Sequence, residues 1–94
     1  MGKKWRELPI DGGMVRVHLE VHEDGPRPLY RVTVRMPDTR EERRLVFRDW
    51  EPAAVRRTAH VPRPEDDALS FSSVRSALST DAPLLEAVRI ALAR

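Results

Sequence analysis

The 94-residue sequence has no cysteine. That excludes disulfides, thiolate catalysis and Cys-ligated zinc, and it fits a reducing, cytoplasmic setting. No apolar run approaches the ~20 residues that span a bilayer, so no membrane partner is expected. The basic start Met1-Gly2-Lys3-Lys4-Trp5 leads into no hydrophobic stretch, unlike a signal peptide. Arg6 stands where a myristoylation signal needs Ser or Thr. Glycine is sparse, at four positions, and none lies in a phosphate-cradling loop. Aromatics are also few: Trp5, Tyr30, Phe47, Trp50 and Phe71.

What the sequence does have is charge, at 34% of residues, with 40% hydrophobic residues and a net charge of +2. This is too apolar and too periodic for a wholly disordered chain. The basic residues are fifteen Arg and two Lys. They are unevenly spread: residues 1–64 carry a net +4 and residues 65–94 a net −2. Such asymmetry can steer an anionic partner, although +4 is weak for nucleic-acid binding.

Residues 14–22 (Met-Val-Arg-Val-His-Leu-Glu-Val-His) and 29–36 (Leu-Tyr-Arg-Val-Thr-Val-Arg-Met) alternate apolar with polar. A period of two predicts strands with one buried and one wet face. The wet face would carry Arg16, His18, Glu20, His22, Arg31, Thr33 and Arg35, a mainly basic plate. A first strand over Trp5–Ile10 precedes an Asp11-Gly12-Gly13 hairpin turn. Pro9 confines it to a sheet edge. A fourth strand over Arg43–Asp49 should turn Leu45 and Phe47 inward and Arg44, Val46 and Arg48 outward, unless Val46 takes the core side. Short connections imply an antiparallel meander.

Beyond the strands the pattern changes. Pro52–Arg57 reads as a short helix with Pro in its first turn, or else as part of an extended stretch over Val55–Val61. Pro62–Asp67 reads as a loop. Asp67 can cap a helix over Ala68–Ser79, with Phe71, Val74 and Leu78 on one face. Asp81 can cap a final helix with Pro83 in its first turn and a stripe of Leu84, Leu85, Val88, Ala91 and Leu92. The expected fold is a single small α+β domain. Its β-meander covers about residues 4–49, a mobile connector about 51–67 and a helical region about 68–94. The helical region covers one face of a four-stranded antiparallel sheet in a two-layer sandwich.

Chemistry finds little support. His18 and His22 would sit ~13 Å apart on a strand, at ~3.3 Å per residue, too far to share a metal. No Gly-x-Ser-x-Gly elbow surrounds the serines at 70–79, and Asp24, Asp38, Asp66 and Asp67 fall in predicted turns. The expectation is therefore no catalysis, no metal and no cofactor. The candidate binding residues are Arg16, His18, His22, Arg31, Arg35, Arg44 and Arg48 on the plate, with Trp5 and Trp50 at the two ends of the β region. Arg pairs bidentately with carboxylate or phosphate, and Trp beside Arg makes interface hot spots.

The favoured reading is a non-enzymatic protein-interaction or regulatory module, an adaptor or inhibitor, working through this face or a strand edge. A homo-oligomer through the edge or face is also open. The alternative is a nucleic-acid-binding module, whose outline is similar to single-strand-binding folds of the PUR type. Exposed stacking aromatics, which such binding needs, are absent from the predicted plate. A solvated face, with Arg and Glu paired across strands, is the simplest alternative to both.

Overall fold

A computed structural model describes residues 5–10, 13–22, 27–64 and 82–93. Four strands form one antiparallel sheet in the order β1-β2-β3-β4: β1 (Arg6–Ile10), β2 (Gly13–His22), β3 (Leu29–Arg35) and β4 (Glu42–Phe47). Among the described residues two helices follow, α1 (Pro52–Thr58) and α2 (Ala82–Leu92), and α2 packs on β3, β4 and α1. The fold is thus the α+β meander with helical cover that the alternation predicts. Residues 68–79, read as a helix, and the capping Asp81 lie outside the described residues.

The register explains the core. One face of the sheet aligns Leu19, Val32 and Leu45 across three strands, and Val21, Tyr30 and Phe47 beside them. These residues pack with Val15, Val17, Val34, Val55, Leu84, Ala87, Val88 and Ala91. Each fully buried valine or leucine contributes roughly 1.5–3 kcal/mol relative to exposure. The helix stripe is accurate at Leu84, Val88 and Ala91, whereas Leu85 and Leu92 are only half-buried. Arg43, at the edge of the same face, donates from Nη1 to the carbonyls of Ala91 (2.8 Å) and Leu92 (3.1 Å). It thereby satisfies carbonyls that the last turn of α2 leaves without helical partners.

Val46 stands on the outward face, in register with Arg31, yet is fully buried, as are the inward Leu45 and Phe47. The chain returns to the edge of β4 after α1. His60 and Val46 exchange backbone hydrogen bonds of 2.9 and 3.0 Å, which lays residue 60 along the outer edge of β4. The helix reading of Pro52–Arg57 therefore holds, and the extended alternative over Val55–Val61 applies only from Ala59 onward. Pro52 opens α1, Ala59 leaves it in a β conformation, and His60 pairs with the sheet. β1 is the other edge and contains Pro9, as its missing donor requires.

At the contact between α1 and α2, Arg56 Nε donates to Glu86 Oε1 at 2.7 Å. That hydrogen bond and the carboxylate's charge raise the Arg56 pKa above its usual value. Glu86 is itself buried.

Candidate functional site

The face opposite the helices carries the plate, and its register sets four cross-strand rows. Glu7, Arg16, Arg35 and Glu42 form the first, one residue from each strand. His18, Thr33 and Arg44 form the second, and Glu20, Arg31 and Val46 the third. His22 faces Leu29 in the last.

The face is not the open plate that the alternation suggests. His18 is only 2% exposed and Thr33 only 1%. The Trp5 ring lies 5.7 Å from the His18 ring and covers it from the β1 side. His22 is half-buried. Arg31 donates from Nη2 to both oxygens of Glu20, at 3.1 and 3.2 Å, and both side chains are 13% exposed. Glu20 Oε1 also lies 3.6 Å from His18 Nε2. The centre of the face is therefore an internally paired polar layer. The physical reason is pairing: alternation marks which residues leave the Val layer, but cross-strand partners can then bury them.

The outer part of the face differs. Arg35 Nη2 donates to Glu42 Oε2 at 2.9 Å while its guanidinium carbon sits 4.2 Å above the centre of the Trp5 ring. A guanidinium over an indole face is favourable by about 0.5–1 kcal/mol where exposed. Arg44 is exposed, 3.6 Å from Glu42 Oε1. Arg48 is exposed at the far end and donates to the Arg27 carbonyl at 3.4 Å. Arg27 in turn pairs with Asp49.

Trp5 and Trp50 do not form a common patch. Trp50 makes tilted ring contacts with Tyr30 at 5.0 Å and Phe47 at 5.7 Å, half-buried against the core. Its Nε1 is buried without a hydrogen-bond partner. Burial, and secondarily the negative charge of Asp49, raise the Tyr30 pKa above 10.0. Three of the aromatics are thus tied into one cluster on the core side, with Tyr30 and Phe47 stacked at 5.4 Å.

The first row opens onto a groove of about 700 Å³, lined by Glu7, Met14, Arg16, Arg35, Arg40 and Glu42 together with Val15, Met36 and Pro37. Of the candidate residues, it unites Arg16 and Arg35. It adds Met14, Met36 and Arg40, which the sequence reading passed over. One signal was available: Met14 shares the parity of Arg16 and His18, so an apolar residue stands on the polar face. Met14 is 47% exposed. Among the described residues no three metal-ligating side chains come together. No described helix is long and apolar enough to cross a membrane.

Comparison adds no name to this geometry: no protein-family model, curated protein or solved structure matches the chain.

Proposed function

We propose that the chain is a non-enzymatic protein-interaction module that docks a partner at the outer end of the sheet face, around Arg16, Arg35 and Trp5. The observation that carries this reading is the groove in which Arg16 and Arg35 stand beside exposed Met14. Guanidinium beside accessible apolar surface suits a protein partner, because it combines directional pairing with burial of apolar area.

Two observations weigh against the nucleic-acid alternative. Arg31 is engaged by Glu20, and Tyr30, Phe47 and Trp50 pack on one another at the core side. A strand of bases needs exposed rings and an uninterrupted cationic track. In addition, Glu7 and Glu42 end the row that contains Arg16 and Arg35. A phosphate backbone crossing the strands would meet a carboxylate on either side.

The edges offer less for self-association. His60 occupies part of the β4 edge, and Pro9 interrupts the donors of β1.

The test compares ligands on the folded protein and on Arg16→Glu/Arg35→Glu. Wild type should retain acidic peptides immobilised on a surface, the double variant should not, and single-stranded DNA should give no gel shift at low salt. A gel shift whose affinity falls steeply with salt would replace this reading with the nucleic-acid one.

A further inference from the structure

The loop that closes the groove contains the feature that defines its ligand. After β3, Met36 N donates to Glu41 O at 2.8 Å, leaving Pro37, Asp38, Thr39 and Arg40 as a four-residue hairpin loop. Glu41 N is held by Thr39 Oγ1 at 3.2 Å. Arg40 completes the turn with φ 58°, in the left-handed region. That conformation is unfavourable for an L-residue with a side chain, and glycine adopts it without penalty. Asn or Asp would also relieve it through local hydrogen bonds. Arginine does neither, so the loop holds a strained backbone at the residue that brings a guanidinium to the groove.

A second observation is independent of the strain. Among the described residues, Arg40 and Arg16 have neither a hydrogen bond nor an ion pair. Arg31 and Arg35 on β3 and Arg43 and Arg44 on β4 each meet an acceptor. The two unpaired guanidiniums line one groove, one from β2 and one from the β3–β4 loop. Met14, Met36 and Pro37 line the same groove, and methionine adapts to varied apolar side chains.

Resting on the protein-docking reading above, we infer that this groove takes a short acidic segment of a partner protein, in which carboxylates flank one bulky apolar side chain. Arg16 and Arg40 pair with the carboxylates, and Met14 and Met36 receive the apolar group. The carboxylates of Glu7 and Glu42 bound the groove and limit the number of negative charges it accepts. This favours a few discrete carboxylates over a continuous polyanion. Backbone strain retained at Arg40 is then the structural cost of placing the second guanidinium.

Arg40→Gly separates strain from binding. The variant should melt a few degrees above wild type and should bind more weakly. The probe is a labelled short-peptide library in which two Asp or Glu flank one Leu, Ile or Phe. A matched library carries Asn or Gln in place of the acids, and a single-stranded oligonucleotide serves as the third ligand.

Fluorescence anisotropy should register the acidic library on wild type, and Arg16→Gln and Arg40→Gly should each lose about fivefold or more in affinity. Equal binding of the amide library, or acidic-peptide binding indifferent to both variants, overturns the inference while leaving a docking module intact. Binding of the oligonucleotide alone overturns both. A lowered melting temperature for Arg40→Gly also counts against it, because the loop would then need arginine for folding rather than for a ligand.

Discussion

Arg31 and Glu20 face each other on neighbouring strands and are joined through one guanidinium nitrogen to both carboxylate oxygens, at 3.1 and 3.2 Å. With both side chains 13% exposed, the pair removes one candidate cation from the binding face. It also makes the middle of that face a structural layer. Truncating one partner leaves the other charge poorly solvated. Glu20→Leu and Arg31→Met should each destabilise by about 2–3 kcal/mol. The double variant Glu20→Leu/Arg31→Met should cost less than the sum of the singles. Urea unfolding of the four proteins checks this, and strict additivity would show that the pair is energetically inert.

Thr33 has a buried hydroxyl with no hydrogen-bond partner. A buried polar group without a partner costs free energy that an isosteric methyl group does not. Thr33→Val, in the middle of β3, should therefore leave stability unchanged or raise it by about 1 kcal/mol. Loss of more than ~1 kcal/mol in urea unfolding would mean that the hydroxyl is satisfied in solution.

Tyr30 is the single tyrosine of the chain, so its ultraviolet titration reports one site. Burial, with the nearby Asp49 charge in a lesser role, raises its pKa in the folded state above the ordinary 10.0. The folded protein then retains a proton that the unfolded chain releases. The associated stability is complete below pH ~10 and is lost as pH rises through the folded pKa. The phenolate band should emerge later than in the unfolded chain. Tyr30→Phe should flatten the corresponding part of the stability profile above pH 10.

Arg43 binds the last carbonyls of α2 from the edge of β4. Arg43→Ala should cost about 1–2 kcal/mol, in the range of hydrogen bonds from charged donors. It should also accelerate hydrogen exchange in the final turn of α2 more than elsewhere. Uniform acceleration would indicate a general loss of packing instead.

Much of the fold is legible in the sequence because period-two alternation at Val15, Val17, Leu19 and Val21 admits only one inward face. Proline at positions 9, 52 and 83 marks an edge strand and two helix starts, each through its missing donor. The pairing of His60 with Val46 crosses a sequence gap containing all of α1. No local pattern encodes that return.

The candidate site was legible only in part, for a related reason. Arg16, His18 and Arg31 share an outward parity, yet Trp5 covers His18 and Glu20 engages Arg31, whereas Arg16 remains exposed. Arg40 carried no pattern signal at all, since its left-handed backbone follows from the way a four-residue loop closes between Met36 and Glu41.

The most direct test of the docking account is a nitrogen-15 heteronuclear NMR titration of the intact protein with the acidic short-peptide library. Saturable shifts should map to Met14–Arg16, Arg35–Glu42 and the Trp5 indole, leaving the outer edge of β1 and the exposed face of α2 unperturbed. Shifts centred on β1 and α2, or none at concentrations where wild-type anisotropy saturates, would contradict it.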